Sequence, residues 1–135
     1  MKIIGKYPES RLRRNRKSDW ARRLVAENNL TANDLILPIF ITEGNNKIQS
    51  IKTMPGIFRY SVDKISYVVE KASKLNIPLI AVFPNTPEKF KNKNGSEALN
   101  ENNLVCRAIR KIKRNNFKIG VMADVALDPY TSHGH

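Results

Sequence analysis

Two carboxylates four residues apart, Asp124 and Asp128, open the stretch of this sequence that is richest in chemical groups. The run Asp124-Val125-Ala126-Leu127-Asp128-Pro129-Tyr130-Thr131-Ser132-His133-Gly134-His135 follows directly on the apolar-patterned segment 117–123. Carboxylates at the carboxyl end of a parallel strand are well placed for ligand or metal contact, because α/β proteins build their sites there. A plainer reading competes: Asp128-Pro129 opens a turn, and Asp124 binds loop backbone. His133 and His135 supply two imidazoles. Two ligands do not make a metal site and no third stands nearby, so a polar loop is the alternative.

Other chemistries find little support. There is no Gly-rich dinucleotide loop, no phosphate-binding Gly-Lys loop and no nucleophile elbow. Cys106 has no obvious partner, sits beside Val105 and reads as a half-buried structural thiol. Met54-Pro55-Gly56 is most simply a turn. Lysine can form a Schiff base when desolvated, but none of the lysines stands inside an apolar strand. Lys118 comes closest, at the wrong end of its strand.

The elements that must position these groups are an arm and an alternating series. Residues 1–19 carry few apolar positions and read as an extended arm. Trp20, Leu24 and Val25 then recur at helical spacing, which predicts a short helix over 19–28 capped by Ser18 or Asp19. Asn33-Asp34 is a turn signal. Residues 34–41 (DLILPIFI) form a continuous apolar run, the pattern of a strand buried on both faces, although Pro38 costs a ladder hydrogen bond. Residues 42–60 read as a long loop.

Ser61 is a candidate cap for an amphipathic helix whose stripe is Ile65, Val68, Val69, Ala72 and Leu75. Asn76 and Pro78 stop it, and 78–84 (PLIAVFP) is a second strand pattern. A polar loop over 85–99 leads to Asn100, a candidate cap for a helix with Leu104, Val105, Ala108, Ile109 and Ile112 on its apolar face. Residues 117–124 give a third strand. The order β-α-β-α-β predicts an α/β parallel sheet, with an arm over 1–33 and the sheet over 34–135. The two helix-to-strand turns are short and the strand-to-helix loops long. Because the series stops in mid-loop after three strands, the chain is expected to be a piece of a larger protein.

Composition narrows the classes. Of 135 residues, 24 are Lys or Arg and 12 Asp or Glu, a formal charge of +12. An apolar fraction of 41% fits a globular chain rather than a disordered one. No run approaches the ~20 apolar residues that span a bilayer. The first 17 residues lack the apolar core of a secretory signal, and a single cysteine excludes a disulfide framework, so a cytoplasmic chain is expected. Residues 1–23 hold nine basic residues against Glu9 and Asp19, and residues 107–118 hold six with no acid. The first cluster suits either nucleic-acid phosphates or the acidic surface of a partner subunit. The second is a solvated helix face.

Five segments together resemble the N-terminal portion of the 5-aminolevulinate dehydratases, or porphobilinogen synthases. They are RLRRN (11–15) with the Trp20 helix, DLILPIFITEG (34–44), TMPGIFRYS (53–61), GSEALNENNLVCRAIRKIK (95–113) and DVALDPYTSHGH (124–135). The resemblance implies a lyase of haem and tetrapyrrole synthesis that joins two 5-aminolevulinate molecules with loss of water. It implies a (β/α)8 TIM barrel behind an N-terminal arm that wraps a neighbouring subunit in a homo-oligomer, commonly an octamer. On that reading the basic arm serves assembly; neither nucleic acid nor membrane is a partner. The two Schiff-base lysines of the family fall beyond residue 135, so the 135 residues alone are expected to be inactive. The alternative is a non-catalytic fragment that docks on a partner subunit through its basic arm.

The resemblance carries Asp124 over as the substrate-pocket aspartate. It also bears on the metal. Zinc-dependent members hold cysteines at the positions of Ala126 and Asp128 and a third just past His135. Here Ala126 cannot ligate, and Asp128 is a hard oxygen ligand suited to magnesium or a monovalent cation. A cysteine-type zinc site is therefore expected to be absent, with Asp128 placing a cation or water, or holding a lid over the pocket.

Overall fold

The computed structural model describes residues 5–134, in two compact units that meet in sequence between Leu30 and Thr31. In the first, helix α1 (Asp19–Leu24) has Asp19 paired with Arg22 at 3.4 Å and Arg23 at 3.1 Å. It is shorter than the expected 19–28. Val25 leaves helical geometry, and Glu27-Asn28-Asn29 offers no apolar position to continue the stripe. Six residues are too few for a helix to hold by backbone bonds alone. Of its side chains only Ala21 is buried, while Trp20 and Leu24 stand exposed.

The second unit opens on a capping box. Thr31 Oγ1 accepts from the Asn33 amide at 3.2 Å, and the Asp34 carboxylate accepts from the Thr31 amide at 2.8 Å. The Thr31 amide and, second to it, the Thr31 hydroxyl, which donates at 2.9 Å, hold the Asp34 carboxyl below the usual aspartate range. Strands β1 (Ile36–Thr42), β2 (Ile48–Ser50), β3 (Phe58–Ser61), β4 (Leu79–Asn85) and β5 (Gly120–Ala123) form one sheet in the order β2-β3-β1-β4-β5. All neighbours are parallel except β2 and β3.

Helices α2 (Ile65–Lys74) and α3 (Leu104–Arg114) provide the crossovers, so the α/β alternation expected from the sequence is present. Their stripes meet one face of the sheet. Ile39 and Ile41 of β1 and Ile80 and Val82 of β4 pack with Ile65, Val69 and Ala72 of α2 and with Leu104, Ala108 and Ile112 of α3. The opposite face carries Pro38, Phe40, Phe83 and Met122, with the Phe40 and Phe83 rings 5.8 Å apart. Burial on both faces was expected of β1, yet Ile36 and Pro38 are exposed.

Three local expectations are corrected. Residues 42–60 are not all loop, because β2 and β3 lie largely within them and make the sheet five-stranded. The turn at Met54-Pro55-Gly56, with Gly56 at φ +80°, reverses the chain so that Phe58–Ser61 pairs beside β1. Ser61 does not cap α2. Its buried hydroxyl accepts from the Lys47 amide at 2.9 Å and fastens the hairpin, and Lys64 occupies the cap position. Asn100 does not cap α3 either. Asn103, 4% exposed, accepts from the Cys106 amide at 2.9 Å, whereas Asn100 makes a local turn to the Asn102 amide.

Both helix-to-strand turns use an asparagine in the left-handed region, Asn76 at φ +57° and Asn116 at φ +52°. The short polar side chain tolerates that conformation, which lets each turn be tight. At Gly120 the reason for glycine is space. A Cβ there would lie 2.8 Å from Leu79 Cδ1, so the Leu79 side chain would have to move aside.

Candidate functional site

The chemistry gathers at the carboxyl ends of β4 and β5, where the loops 86–99 and 124–134 begin. Asp124 is the first residue after β5, two positions past Met122 and so in register with the face that carries Phe83. Asp128 starts a 3-10 turn over Asp128–Tyr130 with Pro129 at its second position. Together they line a cavity of about 330 Å³ with Phe83, Pro84, Lys91 and Tyr130. The two carboxylates singled out in the sequence are thus brought to one site.

The plainer readings of these residues hold as well. Asp124 Oδ1 accepts from the Ala126 amide at 3.2 Å, and Asp128 opens the turn in which the Tyr130 amide reaches the Leu127 carbonyl at 2.9 Å. One carboxylate oxygen on a backbone amide leaves the other open to a ligand, so the turn role of Asp124 does not preclude ligand contact. Ala126 is half-buried outside the cavity lining, His133 is exposed, and His135 lies outside the described residues.

What holds the two loops together is main chain. The Asn92 amide donates to the Tyr130 carbonyl at 3.2 Å and the Ser132 amide to the Asn92 carbonyl at 3.0 Å, a parallel bridge between Asn92 and Thr131. Asn92 Oδ1 in turn accepts from the amides of Asn94 and Ser96. Gly95 gives this turn the left-handed residue it needs, at φ +60°, and a Cβ there would lie in ordinary contact with Thr131 Cγ2, at 3.4 Å. Tyr130 and Thr131 are buried beneath it, and burial pushes the Tyr130 phenol above the ordinary tyrosine range. A second strut joins the strand ends to the helices. Glu43, the residue after β1, pairs with Arg107 of α3, whose Nε also donates to the Asn102 carbonyl at 2.9 Å.

Lys91 was not among the residues singled out in the sequence. A lysine inside an apolar strand carries a sequence signal of desolvation, and Lys91 sits instead in the polar loop 85–99. The only signal was Glu88 three residues before it, a pairing common in surface turns. Another cavity, about 210 Å³ beside Leu37, Ile57 and Val68, is mostly apolar, with Tyr60 and Lys71 its only side chains that carry a polar group.

Hard oxygens such as those of Asp124 and Asp128 suit magnesium better than zinc. Among the described residues, however, no three His, Cys, Asp or Glu side chains converge as a metal shell. The donor set at this cavity is two carboxylates beside an ammonium. That set does not amount to a divalent-metal site by itself.

A family profile described as "Delta-aminolevulinic acid dehydratase" matches residues 9–135. The chain belongs to that family. It is 57% identical over 125 residues to the delta-aminolevulinic acid dehydratase of Bradyrhizobium diazoefficiens, covering 93% of this chain and 35% of that protein. Against the chloroplastic enzyme of Chlamydomonas reinhardtii the figure is 44% over 128 residues, covering 33% of that protein. The fold is similar to the crystal structure of delta-aminolevulinic acid dehydratase (porphobilinogen synthase) from Toxoplasma gondii ME49 in complex with the reaction product porphobilinogen. The TM-score is 0.83 at 35% identity, over 94% of this chain and 36% of that one. The chain therefore spans about a third of the length of these relatives, and its sheet is part of the dehydratase barrel.

Proposed function

We propose that this chain is the N-terminal part of a porphobilinogen synthase, which condenses two molecules of 5-aminolevulinate asymmetrically to porphobilinogen with loss of water. The observation that carries this is the Asp124–Asp128 cavity, set at the carboxyl ends of parallel strands within the segment that matches the family. A 5-aminolevulinate molecule brings an ammonium, a ketone and a carboxylate. Asp124 and Asp128 supply the negative charge that would receive an ammonium at the cavity mouth and orient it by charge-assisted hydrogen bonds. The Phe83 ring and Pro84 form the apolar side of the cavity and exclude water from the reacting carbons.

Carbonyl activation falls to the family's Schiff-base lysines, which on this reading lie on strands beyond residue 135. Lys91 does not take that role. Its ammonium is 2.7 Å from the Glu88 carboxylate, and a protonated, paired amine is no nucleophile. The 135 residues by themselves are then inactive. Asp128 in place of a family cysteine favours magnesium or a monovalent cation over a thiolate zinc site, with further ligands from outside the described residues. The exposed Trp20 and Leu24 of α1 and the basic residues around them support an arm that joins subunits of a homo-oligomer, an octamer by family resemblance. Among the described residues no helix is long and apolar enough to cross a membrane, and a cytoplasmic enzyme is the reading we favour.

The test is porphobilinogen formation, followed colorimetrically, by the full-length protein, by its Asp124→Asn variant and by residues 1–135. Activity in the first, a large loss in the second and none in the third is the expected pattern. Turnover by residues 1–135 alone would overturn the assignment of the Schiff-base lysines, and an inactive full-length protein would overturn the reading as a whole.

A further inference from the structure

We propose that Lys91 is a positioning residue of this site, its ammonium the built-in counter-cation of the Asp124 and Asp128 carboxylates; this deepens the porphobilinogen synthase reading and rests on it. Three observations lead there. Lys91 lines the same cavity as both aspartates. Its side chain is only 22% exposed, whereas Glu88, its partner at 2.7 Å, is 82% exposed. A surface lysine paired for solubility extends outward with its partner, but here the carboxylate is in solvent and the lysine is folded in. Finally, the backbone leaves Lys91 little freedom. The next residue, Asn92, is bridged on both its amide and its carbonyl to Tyr130–Ser132, so Lys91 is fixed across from the turn that Asp128 begins.

The chemistry follows from charge. Two carboxylates lining one cavity repel each other and draw in any available cation. An ammonium has three N–H donors, and Glu88 takes one of them; among the described residues no other hydrogen bond to Nζ is found. A tethered ammonium supplies a cation that needs no binding equilibrium. Its charge favours conformers of the two exposed aspartates that face the cavity they line, where an incoming amine would meet them. Glu88 acts from the outside as a stay that keeps the ammonium from swinging away. Lys91 acts on substrate through the aspartates rather than on the reacting atoms.

The experiment uses the full-length protein with Lys91→Ala, Lys91→Arg and Glu88→Gln, and methylammonium as the probe for the missing cation. Loss of a cation that faces the two carboxylates across the cavity, without touching either, predicts a fall in kcat/KM of about threefold to tenfold for Lys91→Ala. Most of it is expected in KM. Lys91→Arg should retain most activity, Glu88→Gln should lose less than Lys91→Ala, and methylammonium should restore Lys91→Ala while leaving the wild type unchanged. A structural lysine would not respond to methylammonium at all. Lys91→Ala with wild-type kinetics overturns the proposal, as does a loss that neither arginine nor methylammonium repairs. Direct titration of methylammonium, by calorimetry, needs no turnover. Lys91→Ala should bind it and the Lys91→Ala/Asp128→Asn double variant should not. Equal binding by both sinks the counter-cation role even if the protein proves inactive as a dehydratase, an outcome that the wild-type assay reports separately.

Discussion

Replacing Asn103 by alanine tests how the largest helix of the sheet unit is anchored. The Asn103 side chain accepts the Cys106 amide at 2.9 Å, and it is 4% exposed, so water cannot readily take its place. Loss of an N-cap costs about 0.5–2 kcal/mol, the lower figures coming from peptides whose freed amide is solvated. Here the amide is left half-buried, which places the cost near the upper end, about 1.5–2 kcal/mol. The consequence reaches the core, since the first turn of α3 carries Leu104 and Val105 and the next ones Ala108 and Ile112. For a unit of about 100 residues, each kcal/mol moves the melting temperature by about 4–8 °C. Asn103→Ala should therefore melt roughly 6–16 °C lower, read by circular dichroism alongside urea titration. Asn100→Ala, at an exposed position, should stay within about 0.5 kcal/mol of the wild type. Equal effects of the two substitutions, or a larger one at Asn100, would refute the assignment of the cap to Asn103.

Truncating Ile80, fully buried between both helices, to alanine should cost about 2–5 kcal/mol in urea titration, as for other large-to-small core changes. Gly95→Val should loosen the joint between the two site loops, because φ +60° strains a β-branched residue whose Cβ would already touch Thr131; faster hydrogen exchange at the Asn92 and Ser132 amides would report it. The Asp34 and Asp63 carboxyls are both held below the ordinary value, Asp34 chiefly by the Thr31 amide and Asp63 chiefly by the Ser61 side chain. A depressed folded pKa means that the stability they add is complete above the unfolded value of about 3.9 and is lost as pH falls through the folded one. The urea midpoint should accordingly drop below about pH 4, and less so in an Asp34→Asn/Asp63→Asn variant. Burial raises the phenols of Tyr60 and Tyr130, so the opposite sign applies: their contribution is intact below about pH 10 and lost as pH rises through the folded values, which alkaline difference spectra would follow.

Much of the architecture was legible in the order of residues. Strands β1, β4 and β5 and helices α2 and α3 announce themselves because their core positions, such as Ile39 and Ile41 or Ala108 and Ile112, repeat at the period of the element. Strands β2 and β3 do not. Ile48–Ser50 is wholly exposed and three residues long, and its pairing is set by a turn and by the Ser61 hydroxyl rather than by an apolar pattern. The caps were misplaced for a related reason. Asn100, Asn102 and Asn103 all precede α3, and only the packed helix decides which one is buried against its first turn, whereas Ser61 is taken by the hairpin and no side chain caps α2. In the site, Asp124 and Asp128 were visible because a strand end is a predictable place. Lys91 was not, since what brings it there is a pair of main-chain hydrogen bonds at Asn92, and main-chain bonds leave no mark on side-chain type.

That bridge at Asn92 also has a bearing on how such a protein can change. Loops on a barrel are usually treated as exchangeable parts, each free to be lengthened or swapped on its own. Here the loops after β4 and β5 are stitched into one plate, with a shared register at Asn92 and Thr131. Insertion of a single residue between Pro87 and Asn92 would carry its error straight into the spacing of Asp128. Transplantation from a relative should therefore succeed when both loops are taken together and fail when either is taken alone, which makes the pair, rather than the loop, the unit of inheritance at this mouth of the sheet.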